Sequence, residues 1–158
     1  MNHKELHEGI WFSVVLPEKR VCLGLISRIS RSKRIALCYF FDTQNLSITD
    51  EPFVNQLAAN DSIAILIVST LGFTNDEWHV IAKEKYWNRS KWPVPQFFRY
   101  DVLNEKMGWI VTYSDDEPDI VISETRGPLV TTLEKDSLYG YKQHLFPILQ
   151  GSTYKDLR

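Results

Sequence analysis

The chain has 158 residues, of which 44% are apolar and 24% charged, with a formal net charge of −2. That balance suits a globular protein with its own core and excludes a disordered chain. It also argues against a dedicated nucleic-acid binder, which is usually basic overall or along one face.

The opening residues, MNHKELHEGIW, lack the apolar segment of a secretion signal. The longest strongly apolar run, IAILIV at 63–68, is far too short to span a bilayer. These features predict a soluble, cytoplasmic protein with no membrane partner. No repeat, low-complexity tract or linker divides the chain, so one domain over residues 1–158 is expected, with 1–8 flexible and 150–158 frayed.

The first predicted strand is GIWFSVVL, residues 9–16, rich in aromatic and β-branched types. After the turn PEK, residues 20–29 and 34–41 read as a hairpin around SRSK. If Ile29 pairs with Arg34, Cys22 faces Phe41, Cys38 faces Leu25, and Gly24 lies under the Tyr39 ring. The two thiols then fall on opposite faces, which predicts buried, reduced cysteines. Both faces of the hairpin are apolar, as in a central or barrel-enclosed strand.

Residues 50–59, DEPFVNQLAA, read as a short helix capped by Asp50, with Pro52 in its first turn. IAILIVST is a buried strand, LGFTND a loop and EWHVIAKEKY a strand of alternating pattern. Pro93 and Pro95 make WPVP an irregular extended connector. QFFRYDV, MGWIVTYS and IVISE read as strands, with SDDEPD as an acidic turn between the last two. Residues 136–149 read as a helix with Leu138, Tyr141, Leu145, Ile148 and Leu149 on one stripe. The sum is an α+β fold: a strongly bent, mostly antiparallel β-sheet or partial barrel of about six to eight strands, with two helices.

No catalytic constellation emerges. His3 and His7 have helical metal-pair spacing but no third ligand nearby, and no CxxC, phosphate loop, dinucleotide fingerprint or GxSxG is present. Cys22 or Cys38 with His79 or His144 would supply a nucleophile and a base, but both cysteines lie inside apolar strands, where thiols are usually inert. The chain is therefore expected to be no enzyme and to hold no cofactor or metal.

Two segments invite a binding role. SDDEPD gathers Asp115, Asp116, Glu117 and Asp119 within five positions. It is either a solvated hairpin turn or a surface that meets a basic partner. KEKYWNRSKWPVPQFFRY, residues 83–100, alternates cations with rings, as a single-strand nucleic-acid groove would. The two prolines and the overall charge favour instead a connector whose rings close the core. Trp87, at the end of a predicted strand, is the ring left to anchor a protein partner.

The order of these signals resembles the immunity protein 26 family of bacterial polymorphic toxin systems. The likeness rests on EGIWFSVVLPEKRVCLGLISRIS, IALCYFFDTQ, DEWHVIAKEKYW, WPVPQFFRYD, GWIVTY and a final helix, roughly residues 8–150. The chain departs from the family where Glu8-Gly9-Ile10-Trp11 replaces a Gly-Asp before the aromatic, and where VIAKEKYW lacks a glycine. The resemblance implies a non-enzymatic antitoxin that binds a cognate toxin domain stoichiometrically. If that toxin is a nuclease, its basic site would suit Asp115, Asp116, Glu117 and Asp119.

Overall fold

The computed structural model describes residues 5–17, 20–42 and 57–140, together with Phe146 and Leu149. Its described residues are mostly β. A six-stranded sheet runs in the order β10-β4-β3-β2-β1-β5, and a four-stranded sheet in the order β8-β7-β6-β9. The strands of the first are β1 (Ile10–Val15), β2 (Val21–Ile29), β3 (Ile35–Asp42), β4 (Ala64–Ser69), β5 (Trp78–Lys83) and β10 (Leu138–Tyr139). Those of the second are β6 (Phe97–Tyr100), β7 (Met107–Tyr113), β8 (Val121–Pro128) and β9 (Glu134–Lys135). A single helical turn, α1 (Leu71–Thr74), joins β4 to β5. Pairing is antiparallel except for β10 on β4 and β9 on β6.

The larger sheet is apolar on both faces because both are covered, not because it closes into a barrel. One face carries Phe12, Ile26, Cys38, Phe40, Leu66, Trp78 and Tyr139 against Leu6, Phe73 and Leu149. The other carries Trp11, Leu23, Leu25, Leu37, Tyr39 and Phe41 against Trp92 of the connector and Phe97 of β6. The expected α+β fold with two helices is thus corrected to a two-sheet, mostly β structure. Most of the helix expected at 50–59 lies outside the described residues; of its end, Leu57 and Ala58 are irregular and Ala59 opens a 3-10 turn, Ala59–Asp61. In the helix expected at 136–149, Leu138 and Tyr139 instead pair in parallel with Ile67 and Val68. Helical spacing and a short strand edge both accept Leu138 and Tyr139; the free edge of β4 decided between them. Phe146 and Leu149 are helical, and the rest of that stretch lies outside the described residues.

The β2–β3 register also differs from the simple hairpin. Cys22 faces Asp42, Leu25 faces Tyr39 and Ile26 faces Cys38, and a bulge between Ile26 and Arg28 then shifts the pairing by one. Cys22 and Cys38 therefore line the same face, contrary to expectation. They remain free thiols. Four residues of strand, about 13 Å, separate Cys38 from the position opposite Cys22, well beyond disulfide reach. Burial pushes the Cys22 thiol up to about 12 and Cys38 higher still.

Gly24 does lie beneath a ring, but the ring is Phe12, its partner on β1, and not Tyr39. A Cβ at Gly24 would sit 2.2 Å from Phe12 Cζ, so no other residue fits there without moving the ring. Phe12 in turn stacks on Trp78, with centroids 5.1 Å apart. Leu6, expected in a loose N-terminal segment, is buried in the same cluster.

Candidate functional site

The β2 bulge builds the centre of the site. An extra residue in one strand turns two successive side chains toward the same side. Here Ser27 and Arg28 both reach the connector: Ser27 Oγ donates to Trp92 O at 2.6 Å, and Arg28 Nη1 to the same carbonyl at 3.1 Å. Arg28 Nη1 also meets Ser27 O and Oγ at 2.8 and 2.9 Å. Only 3% of the Arg28 side chain is exposed. A buried guanidinium needs its donors filled and its charge balanced. Asp115 supplies both, its Oδ1 accepting from Arg28 Nε at 3.1 Å and Nη2 at 2.9 Å.

The acidic turn is thus held against the larger sheet by intramolecular cations. Arg89 bonds Asp115 O through Nη2 at 2.6 Å and Asp116 Oδ1 through Nη1 at 3.2 Å. The Arg31 backbone N–H donates to Glu117 Oε1 at 3.2 Å. Arg89 Nε also meets Glu8 Oε1 at 2.8 Å, and Trp87 Nε1 donates to that oxygen at 3.0 Å. Partial desolvation works against the Arg89 charge, but Glu8 and Asp115 outweigh it and raise its pKa above the ordinary arginine value. Gly9, at φ +88°, lets the chain pass beside the Trp87 ring, where a Cβ would lie 3.3 Å from it.

The five anticipated contact residues therefore divide. Asp115 is an internal counter-ion whose side chain is still 63% exposed, and Glu117 closes the β2–β3 turn. Asp116 reaches Arg89 from a largely open position. Asp119 lies apart, on the rim of a cleft of about 320 Å³ with Ile35, Ile67, Tyr113, Pro118 and Leu138. Trp87 is half-buried, its ring against the second core cluster and its N–H on Glu8. Sequence inspection missed Glu8, Arg28 and Arg89. The signal was an arginine inside the apolar strand VCLGLISRI, where a cation demands a partner.

The aromatic-basic stretch is largely consumed by the fold. Trp92, Phe97 and Phe98 are buried, and Trp92 packs edge-on against Trp11, Tyr39 and Phe41. Arg99 lies over Trp109 and pairs with Glu124. Tyr86, 82% exposed, is the most open ring of the stretch. Among the described residues no cluster of three His, Cys, Asp or Glu could hold a metal. His79 is exposed while both thiols are buried. No helix among them is long and apolar enough to cross a membrane.

The model of the family described as Immunity protein 26 matches residues 7–109. The chain belongs to the immunity protein 26 family. The match takes in the larger sheet through β5, the connector with Trp87 and Trp92, and the hairpin as far as Trp109; the acidic turn lies beyond it. Membership implies an immunity protein with a cognate toxin as partner. No curated protein and no solved structure matches the chain.

Proposed function

We propose that this chain neutralises a cognate toxin of a polymorphic toxin system by stoichiometric, non-catalytic binding in the cytoplasm. Family membership across residues 7–109 carries the proposal. The contact surface includes the outer side of the acidic turn, at Asp116 and Asp119, and the apolar cleft that Asp119 borders. Asp115 and Glu117 position that turn, and Trp87 contributes the exposed part of its ring beside it. A carboxylate-rimmed surface attracts a basic partner and speeds encounter more than it adds affinity. A nuclease, whose substrate site is basic, is the toxin class this surface fits best.

The test is co-expression and titration with the toxin domain encoded beside this gene. The full chain should restore growth and form a 1:1 complex. Asp116→Lys/Asp119→Lys should slow association and flatten its salt dependence, and Asp119→Lys alone, which leaves the Asp116–Arg89 pair in place, should do the same in smaller measure. Unchanged association by the double variant would remove the acidic turn from the interface. Failure of the parent chain to bind or protect would end the proposal.

A further inference from the structure

The loop between β6 and β7 shows Val102 and Leu103 to solvent at 92% and 94% of their full exposure. Adjacent aliphatic residues this open usually sit on loose loops, but this loop is fastened. Asp101 N–H donates to Met107 O at 3.1 Å, Asn104 N–H to Asp101 O at 3.2 Å and Met107 N–H to Asn104 O at 3.0 Å. The Leu103 N–H donates to Asp101 Oδ1 at 2.9 Å and the Lys106 N–H to Asn104 Oδ1 at 3.2 Å.

The base of the loop is braced as well. Trp109 lies between Arg99 and Arg126, whose guanidinium carbons stand 5.2 and 4.9 Å from its ring centre. Arg126 Nη1 then donates to Asp101 Oδ2 at 2.8 Å. A row of cross-strand neighbours, Arg99–Trp109–Arg126, thus ends on the carboxylate that holds the tip.

We propose that the β6–β7 tip is a preformed apolar plug, with Val102 and Leu103 entering a concave apolar pocket on the toxin domain. This rests on the reading of the chain as an immunity protein. Three features select that occupant. A stable contact between two copies buries about 1,200–2,000 Å², far more than two convex side chains meeting tip to tip can supply. Around the tip Arg126 is paired with Asp101 and Arg99 with Glu124, which leaves Glu105 against Lys106, so no net basic rim draws the apolar loop to an anionic membrane. A tip already held in one conformation loses little freedom on docking, so burial of its side chains appears as affinity.

The experiment measures binding of the same toxin domain to the parent chain and to Val102→Ser/Leu103→Ser. Both positions are nearly fully exposed, so the variant should keep the parent's urea midpoint. Burial of two aliphatic side chains predicts a Kd raised about 100-fold, mostly through faster dissociation. Arg126→Gln, which releases Asp101 and leaves both apolar side chains unchanged, should raise Kd less, through the loosened tip. A serine variant that binds within about threefold of the parent overturns the plug while leaving toxin binding intact. A parent that does not bind the toxin overturns both. Loss of a parent dimer in the serine variant, or parent binding to anionic vesicles that the variant lacks, would assign the tip to a different occupant and also overturns the proposal.

Discussion

Replacing Trp92 by alanine asks whether the connector's rings serve the fold or await a ligand. The Trp92 side chain is 6% exposed, with ring centroids of Tyr39, Trp11 and Phe41 at 5.2, 5.8 and 6.0 Å. Truncating a buried tryptophan costs about 3–5 kcal/mol. The same residue's carbonyl accepts from Ser27 and Arg28, so any shift of the connector also strips bonds from a buried cation. That places the loss near the upper end, at about 4–5 kcal/mol. With a urea slope of about 2 kcal/mol/M, the unfolding midpoint should fall by about 2 M. Trp87→Phe provides the internal comparison. It keeps a ring over Gly9 and removes one N–H bond to Glu8, so about 1 kcal/mol and about 0.5 M are expected. Both variants would be followed by far-UV circular dichroism in urea. A Trp92→Ala midpoint within about 0.5 M of the parent would refute the packing argument, because exposed stacking platforms can be truncated almost without loss.

Asp115→Asn should destabilise by about 1 kcal/mol, since it discharges the partner of a buried guanidinium that keeps its carbonyl bonds. A double-mutant cycle with Arg28→Met should return a coupling of that order, and zero coupling would show that the pair does not hold the turn. Cys22 and Cys38, with pKa values raised by burial, should resist alkylation at pH 8 in the native protein and react fully once it is unfolded; rapid native labelling would contradict their burial. Desolvation raises the Glu134 pKa, with the Ile65 backbone bond opposing it in part. Its folded value lies above its unfolded one, so the fold is favoured by this group below the unfolded pKa and loses that contribution as pH rises through the folded pKa. Glu134→Gln should therefore unfold at higher urea than the parent at pH 7, with the difference shrinking toward pH 4. Parallel midpoint profiles would show that Glu134 ionises freely.

Much of this molecule was legible in its residue order. Runs of aromatic and β-branched residues located β1 to β8 to within a few residues, with alternation marking β5, because such side chains suit an extended, pleated backbone. WPVP was legible as a connector because two missing amides cannot serve a central strand. The family too was visible in the order of aromatic strands. The hairpin register was not: a bulge at Ser27 inserts one residue without any local mark, and that moved Cys22 and Cys38 onto one face. The acidic turn was legible as a charge cluster, but its partners were not, since Arg28 and Asp115 are 87 residues apart.

The sequence by itself determined that β1 to β8 become strands, that the connector is extended, and that the chain resembles an immunity protein. Those depend on neighbours a few residues away, where sterics and side-chain alternation act directly. Only the tertiary structure decided that both faces of the larger sheet are covered without closing a barrel, and that Leu138 and Tyr139 extend an edge. It also decided that three arginines neutralise much of the acidic turn, while Val102 and Leu103 remain bare on a fastened loop. Those outcomes follow from which surfaces meet across the two sheets, and a buried charge or an open apolar tip is defined only once they have met.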